Sequence, residues 1–324
     1  MKPDAFLEDL RRKPEVLERL ARTLAARNPW SEVVQSGPAR VVLLGMGSSA
    51  YAANIAAARM RSHGLMATSE LASSRLLPGW GAGTLVVATS ASGTSVETLD
   101  ALSRLPAGVA TVALTNTADS TITTRADSLV TLDAEAEVGG VACRSYQHTL
   151  ALLLALECHL TGASTDSVVA TVSAAAEASA HLLDRESDWC PDISELLLGP
   201  SGTHLAAPAH RLCSAHQGAL MLREGPRRPA VGCETGDWSH VDVYLTKTTD
   251  YRLLVFAGSP WESQMAEWTE ARGSTVVAVG GDVPGAGYTL RYPHDSDDDV
   301  ALLTEVLVPE LIAARAWLTA ASEV

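Results

Sequence analysis

The hydrophobic positions along the first half of the chain alternate between two kinds of segment. Continuous apolar runs of strand length occur at 41–44, 84–88 and 109–115, and segments with helical spacing follow at 50–60 and 96–105. Apolar strands that alternate with helices are typical of βαβ units, whose parallel sheet is buried on both faces. This half is therefore predicted to be an α/β domain. A helical arm at 4–27, in which Pro14 starts a second helix, precedes it.

The second half repeats the same order of elements. Predicted helices at 145–160 and 167–183 are followed by the polar segment 184–188, which indicates a boundary between domains at 1–185 and 186–324. The apolar residues 196–198 before Gly199-Pro200-Ser201-Gly202 predict a strand with a turn after it, as in 42–44 before Gly45. The remaining predicted elements are a helix at 208–224, strands at 252–256 and 275–279, a helix between them at 261–271 and a closing helix at 300–321. Two halves of one pattern suggest a duplication.

Charge and length exclude several classes of function. The 324 residues carry a formal net charge of −14, which opposes binding to nucleic acid or to an anionic membrane surface. The most apolar run, 150–156, is far shorter than the roughly 20 residues of a membrane-spanning helix, and the N-terminus lacks the features of a signal peptide. Five cysteines without a C-x-x-C pair indicate reduced thiols and a cytoplasmic protein.

Metal and nucleotide cofactors are not expected. His204, His210 and His216 recur every six residues, a spacing that would not place them on one face of a helix. Gly45-Met46-Gly47-Ser48-Ser49-Ala50 matches only the weak form G-x-G-x-x-A of the dinucleotide fingerprint, so a dinucleotide site is a minor alternative.

Two serine-rich turns follow predicted strands. Gly47-Ser48-Ser49 comes after the first strand, and Ser90-Ala91-Ser92-Gly93-Thr94-Ser95 comes after the second. Ligands of open parallel sheets bind beyond the carboxyl ends of the strands, where helix N-termini present free amides. Hydroxyls and amides around one helix start would suit a phosphate monoester. The alternative is purely structural: Thr94 or Ser95 caps the helix, with Glu97 in its first turn.

The order of these motifs resembles the sugar isomerase (SIS) domain family. Asn116, Ser120, Ala126-Asp127 and Glu137 continue the resemblance, and Ala219-Leu220-Met221-Leu222-Arg223-Glu224 resembles a helix end in the isomerase half of the glucosamine-6-phosphate synthases. The resemblance covers nearly the whole chain. It implies two tandem SIS domains, each a doubly wound, flavodoxin-like parallel sheet, and no redox or metal cofactor.

The resemblance also implies a catalytic pair. Glu224 would move a proton between C1 and C2 of a phosphosugar or amino-sugar phosphate, and His240 would open the sugar ring. In the family this histidine reaches the site from the neighbouring subunit, which implies a homodimer with a shared site. A desolvated carboxylate and a histidine suit these two roles, because both can exchange protons near neutral pH.

By matched position, phosphate would be held by Ser49, Ser90, Ser92 and Ser95, with Ser48 and Thr94 beside them. Cys143 stands where the family has a substrate-contacting serine, and Ala91 replaces a family glutamine. Arg227 could bind an acidic substituent of the substrate or be an exposed basic residue.

Three functions remain open at this point. The first is an isomerase or an amino-sugar-phosphate deaminase or deglycase. The second is a SIS protein that senses a sugar phosphate without catalysis, which would need neither Glu224 nor His240. The third is an ammonia-dependent subunit that makes glucosamine 6-phosphate. It is disfavoured by a chain that ends at Ser322-Glu323-Val324, without the family's lysine-bearing tail.

Overall fold

Two five-stranded parallel sheets organise the chain. The computed structural model describes residues 1–34 and 37–322. The chain divides into two compact units, one made of residues 1–15, 138–141 and 174–324, and the other of residues 16–137 and 142–173. The second of these contains the first sheet. The expectation that the family's lysine-bearing tail is missing rests on Ser322-Glu323-Val324. Of these three, Glu323 and Val324 lie outside the described residues.

The first sheet lies in the unit formed by 16–137 and 142–173. Its strands are β1 Arg40–Gly45, β2 Ala67–Leu71, β3 Thr84–Thr89, β4 Ala110–Thr115 and β5 Ser128–Thr131. The helices between residues 1 and 184, which belong to both units, are α1 Pro3–Arg11, α2 Lys13–Ala26, α3 Trp30–Val33, α4 Ser48–Ser62, α5 Val96–Ser103, α6 Arg144–Thr161 and α7 Asp166–Asp184, with a 3-10 turn at Thr121–Thr124. The predicted helices and the three predicted strands are confirmed, and β2 and β5 are additional.

The second sheet lies in the other unit. Its strands are β6 Thr203–Ala207, β7 Ala230–Glu234, β8 Arg252–Phe256, β9 Thr275–Val279 and β10 Tyr288–Leu290. The helices are α8 Glu186–Leu197, α9 Leu212–Glu224, α10 Thr235–Trp238, α11 Glu262–Ala271, α12 Asp298–Thr304 and α13 Leu307–Ser322, with 3-10 turns at Ala209–Arg211 and Asp242–Lys247.

The predicted strand at 196–198 is wrong. These residues end α8, and the strand is Thr203–Ala207, so the Gly199–Gly202 turn precedes the strand instead of following it. A short apolar run cannot be distinguished from the buried face of a helix by its pattern alone. The closing helix at 300–321 is in fact two helices, α12 and α13, which are interrupted at Glu305 and Val306.

Both sheets have the same strand order. In the first, β1 lies between β2 and β3, and β4 and β5 follow outward. In the second, β6 lies between β7 and β8, and β9 and β10 follow. All pairs are parallel, which for each sheet gives the order 2-1-3-4-5. In each sheet the second strand therefore lies on one side of the first strand, and the third, fourth and fifth strands lie on the other side.

Apolar side chains of the central strands form a separate core in each unit. In the first sheet Val42, Val86 and Ala113 are fully buried together with Trp80. In the second sheet Leu253, Val255 and Ala278 are buried together with Trp238 and Met265. The central strands are apolar throughout because both of their faces are covered.

Residues 4–15 of the N-terminal arm belong to the unit that holds the second sheet, and residues 16–27 belong to the other unit. Phe6 on α1 lies against Trp317 on α13, with ring centroids 6.2 Å apart. Lys13 and Glu310 form an ion pair in which both side chains are completely buried. This division by packing differs from the predicted ranges 1–185 and 186–324, and those domain limits stay a prediction. Within the described ranges, every helix is too short or too polar to cross a lipid bilayer.

Candidate active site

Two glycines, Gly45 and Gly47, shape the turn after β1. A Cβ on Gly45 would lie 2.8 Å from Cβ of Ser49, so the close approach of helix α4 to the strand requires glycine here. Gly47 has φ +51° and precedes the first residue of α4. The helix has no side-chain cap, and nothing in the described chain hydrogen-bonds to the half-buried hydroxyls of Ser48 and Ser49. An uncapped helix start with free hydroxyls is a suitable site for an anion.

The turn after β3 uses some of its hydroxyls internally. Ser95 caps α5, because its Oγ accepts from the amide of Thr98 at 3.4 Å and donates to Glu97 at 3.1 Å. Ser90 is buried, and its Oγ accepts from the amide of Ser95 at 3.4 Å. The structural alternative from the sequence is therefore confirmed for Ser95.

The exposed hydroxyls of this turn belong to Ser92 and Thr94. Their oxygens are 2.9 Å apart, so they form one small polar face. Gly93 between them has φ +68°, and a Cβ at this position would lie 1.9 Å from Oγ of Ser120. The turn thus presents two of its four predicted hydroxyls to solvent and uses the other two to hold its shape.

The two serine turns lie side by side at the carboxyl ends of their strands. They follow β1 and β3, which are neighbouring parallel strands whose chain connections run to opposite sides of the sheet. The crevice at such a reversal point is where open α/β sheets bind ligands. Ser48 and Ser49 therefore lie on one side of a crevice, and Ser92 and Thr94 lie on the other.

The loop after β5 adds features that the sequence did not single out. Asp133 and Glu135 both have left-handed backbones, with φ of 52° and 58°. Asn116, which follows β4, binds this loop from both ends of its amide: its nitrogen donates to the Glu135 carbonyl at 2.6 Å, and its oxygen accepts from the Ala134 amide at 2.9 Å. Two strained residues so close together mark a loop whose shape is imposed by its contacts.

Cys143 lies at the start of α6 and is fully buried. The carboxylate of Glu137 accepts from the amides of Cys143 at 2.7 Å and Ser145 at 3.0 Å, and from the Ser145 hydroxyl at 2.6 Å. Glu137 therefore occupies the helix start that the sequence analysis associated with substrate. The role of Cys143 as a substrate contact stays a prediction.

Glu224 is the last residue of α9 and is half-buried. Nothing in the described ranges donates a hydrogen bond to its carboxylate or pairs with it. Burial raises its pKa above the ordinary value of a glutamate, and the negative end of the helix dipole acts in the same direction. This carboxylate is therefore suited to accept and return a proton.

Arg227 and Arg228 lie in the loop after Glu224 and differ in environment. Arg227 is exposed and has a left-handed backbone, with φ 58°. Arg228 is half-buried, and its Nη2 donates to the Gly199 carbonyl at 2.8 Å. Arg227 is thus free to meet a solute, while Arg228 is held against the chain before β6.

His240 is exposed on a loop whose flanks are fixed by a buried polar network. Nε1 of Trp238 donates to the Tyr251 hydroxyl at 2.8 Å, and that hydroxyl donates to Asp242 at 3.4 Å. The His204 ring stacks on Tyr251 with centroids 4.2 Å apart and lies 3.4 Å from Asp242 through Nδ1. The backbone on both sides of His240 is therefore held by buried hydrogen bonds. Nothing in the sequence indicated this network.

Glu224 and His240 belong to connections on opposite faces of the second sheet. Gly232 of β7 faces α9, because a Cβ there would lie 2.5 Å from a backbone oxygen of that helix, and Glu224 is the last residue of α9. The next residue, Cys233, faces the other side, where its thiol lies beside Asp242, two residues after His240. The two candidate catalytic residues are therefore carried on opposite faces of one sheet.

The second sheet's own crevice, between β6 and β8, is filled by the protein. The buried guanidinium of Arg211 donates to the Ala257 carbonyl just after β8 and pairs with the buried carboxylate of Glu305. Gly258 makes room for it, since a Cβ there would lie 2.7 Å from Nη2. These side chains therefore occupy the crevice of the second sheet, whereas the serine turns flank the corresponding crevice of the first. His204, His210 and His216 lie in a strand, a 3-10 turn and a helix, so they are not on one helix face.

Comparison with known proteins finds a family model that matches part of the chain. Residues 36–157 match the model of the SIS domain. Over 210 residues the chain is 27% identical to a glutamine--fructose-6-phosphate aminotransferase (isomerizing) of Halobacterium salinarum; the match covers 61% of this chain and 35% of that protein. The chain thus spans about a third of the length of this relative.

Solved structures share the fold along almost the whole chain. The C-terminal domain of glucosamine-fructose-6-phosphate aminotransferase from Francisella tularensis has a TM-score of 0.81 at 16% identity, covering 97% of this chain and 96% of that one. Tagatose-6-phosphate ketose/aldose isomerase from Escherichia coli has a TM-score of 0.81 at 15% identity, covering 98% and 94%. Residues 36–157 therefore match a SIS domain, and the chain as a whole shares its fold with these structures.

Proposed function

We propose that this protein is a phosphosugar isomerase, or an amino-sugar-phosphate deaminase or deglycase, that moves a proton between C1 and C2 of its substrate. The observation that carries the proposal is the pair of serine turns on either side of the β1/β3 crevice, next to the uncapped start of α4. The relatives support the same class, because their names describe reactions on 6-phosphosugars.

The phosphate is proposed to bind at the start of α4. Ser48 and Ser49 would donate hydroxyl hydrogen bonds, and Ser92 and Thr94 would close the site from the other turn. Neutral donors and a helix dipole can hold a phosphate dianion without lysine or arginine. Ser90 and Ser95 would then act mainly through the shape of their turn.

Glu224 is proposed as the base that removes a proton from one carbon and returns it to the neighbouring one. Removal gives an enediol, or an enolamine from an amino sugar, and protonation of the other carbon completes the isomerisation. For deamination, protonation of the enolamine at C1 leaves an imine at C2; water then adds to C2 and ammonia leaves, which gives a ketose phosphate. The raised pKa of Glu224 supports this role, because the proton must be held and given back near neutral pH.

His240 is proposed to open the sugar ring in the site of a second copy. The placement of Glu224 and His240 on opposite faces of one sheet supports a homodimer with shared sites. We further propose tandem SIS domains with flavodoxin-like sheets, with limits at 1–185 and 186–324, in a cytoplasmic protein. Cys143 and Arg227 remain proposed contacts of the sugar and of an acidic substituent.

The reaction class is tested by proton NMR in D2O with a panel of 6-phosphosugars and their 1-amino and 2-amino derivatives. Deuterium at C1 or C2 without ammonia release identifies an isomerase, and deuterium with amine release identifies a deaminase or deglycase. If thermal shift detects binding of a sugar phosphate and no compound exchanges, catalysis is refuted and the protein is a sensor.

The shared site is tested by mixing two variants, Glu224→Gln and His240→Ala, each inactive alone. Random exchange of subunits forms mixed dimers in half of the molecules, and each mixed dimer carries one intact site. We expect about a quarter of the wild-type activity to return. No recovery, with subunit exchange verified by native mass spectrometry, would place both residues of a working site in the same chain.

A further inference from the structure

A cavity of about 840 Å³ lies in the unit that holds the second sheet, away from the serine turns. It is bounded by the end of α7, by α8, by the last turns of α13 and by the loop that carries Arg228. Its size falls within the roughly 300–1,000 Å³ of ligand pockets in proteins. No step of the proposed reaction uses it.

The walls of this cavity are mainly apolar. Leu183, Pro191, Leu198, Ala316 and Ala320 contribute the aliphatic surface. Cys190 adds to it, because burial raises the pKa of its thiol to about 11 and keeps it neutral. The cavity would therefore favour a ligand with an apolar body.

The two arginines that line the cavity differ in whether a carboxylate pairs with them. Nε of Arg315 lies 2.5 Å from the carboxylate of Glu186, so these two charges neutralise each other. Arg228 has no carboxylate within ion-pair distance anywhere in the described ranges, and its buried Nε has no acceptor. Asp184, the remaining lining carboxylate, is exposed at the rim and solvated. The half-buried guanidinium of Arg228 is thus the group that lacks a counterion.

We propose that this cavity binds a small amphipathic anion, with a carboxylate or phosphate monoester on Arg228 and an aliphatic or aromatic body against α8 and α13. Two observations independent of each other carry the proposal: a cavity of ligand size with apolar walls, and an unpaired, partly buried guanidinium in its lining. An anionic group there gains a charge-assisted hydrogen bond, and its body gains burial of apolar surface.

The site touches the same elements that hold Glu224. The Arg228 amide donates to the Leu222 carbonyl at 2.9 Å, which folds the loop back onto the last turn of α9. Gly225 lies against Trp317 of α13, the helix whose neighbouring residues line the cavity. An anion bound to Arg228 would therefore act on the loop directly after Glu224. This effector role, unlike binding itself, rests on the proposed function.

Calorimetry with two probes, octanoate and phenyl phosphate, tests the binding. Three variants are compared with the wild type: Arg228→Gln removes the charge, Ala320→Trp fills the cavity from an exposed position at its rim, and Arg185→Gln is the matched control. Arg185 is an exposed arginine that does not line the cavity and pairs with Asp188. We expect at least one probe to bind the wild type and the Arg185→Gln variant equally, and to bind the other two at least tenfold more weakly.

The proposal is overturned if neither probe binds the wild type, or if Arg228→Gln binds as well as Arg185→Gln. It is also overturned if Ala320→Trp changes the oligomeric state while leaving probe affinity intact, because the surface would then be an interface. Circular dichroism of each variant identifies misfolding, and the two cavity variants can be judged separately. Since no turnover is measured, failure here leaves the proposed reaction untouched, and absence of turnover leaves this site untouched.

Discussion

Replacement of Gly93 by alanine should damage the serine turn through two separate effects. The residue has φ +68°, a conformation that alanine adopts at a cost of roughly 1–2 kcal/mol. The added Cβ would also lie 1.9 Å from Oγ and 2.4 Å from Cβ of Ser120, and 3.1 Å from a methyl of Ile122. Ser120 is buried and must therefore move.

Three contributions make up the loss in free energy of unfolding that Gly93→Ala should cause. The backbone cost, less the roughly 0.4–1 kcal/mol that alanine recovers by restricting the unfolded chain, leaves about 1 kcal/mol. Displacing Ser120 breaks its hydrogen bond to the Thr117 carbonyl, which costs about 1 kcal/mol. Crowding of the buried neighbours adds about 1–3 kcal/mol. Gly93→Ala should thus lose about 3–5 kcal/mol.

Gly108→Ala is the matched control, because Gly108 has φ +86° and no atom within 4 Å of the added Cβ. It should lose only the backbone part, about 1 kcal/mol. Urea unfolding measures the free energy of unfolding of both variants, which are compared only if that free energy has the same dependence on urea concentration in each. Calorimetry measures their affinity for sugar phosphate. Gly93→Ala should also bind sugar phosphate at least tenfold more weakly, while Gly108→Ala binds normally. Stabilities within 0.5 kcal/mol of each other would refute the steric argument.

Three further predictions concern single side chains. Ser92→Ala should weaken sugar-phosphate binding without changing stability, whereas Ser95→Ala should lose about 1 kcal/mol of stability through its cap; equal stability losses in urea would contradict the division of roles within the turn. Lys13→Met should lose about 3–5 kcal/mol, because it removes the buried ammonium that pairs with the buried carboxylate of Glu310, and adding Glu310→Gln should restore part of that loss in a double-mutant cycle. The folded-state pKa of Glu224 is raised, so wild-type stability falls as pH rises from the ordinary glutamate pKa through the raised one. Glu224→Gln should therefore be more stable than the wild type at neutral pH and lose that advantage in acid; thermal melts that differ equally at both pH values would contradict this.

The sequence predicted the central strands of both sheets better than their edges. Strands β3 and β8 are apolar runs because both faces are covered, and that pattern is visible in the residues. Edge strands such as β2 and β7 are half-exposed and carry polar residues, so they lack that pattern. The misplaced strand at 196–198 has the opposite cause, since the end of a buried helix is also a short apolar run.

The candidate site was predictable in part. The serine turns could be found because each directly follows a visible strand, and the capping role of Ser95 follows from Glu97 in the next turn. The left-handed backbone of Glu135 has no signal in residue type, and that of Asp133 has only a weak one, since aspartate adopts this conformation more often than most residues. The opposite placement of Glu224 and His240 depends on sheet order, which residue spacing does not contain.

The most direct test of the proposed chemistry is the rate at which solvent deuterium enters C1 or C2 of the phosphosugar that the wild type turns over, compared between wild type and Glu224→Gln. Affinity for the same compound is measured in parallel by calorimetry. The proposed role of Glu224 predicts rapid exchange in the wild type and none in the variant, with affinity unchanged within a few fold. Exchange at the wild-type rate in Glu224→Gln would contradict it.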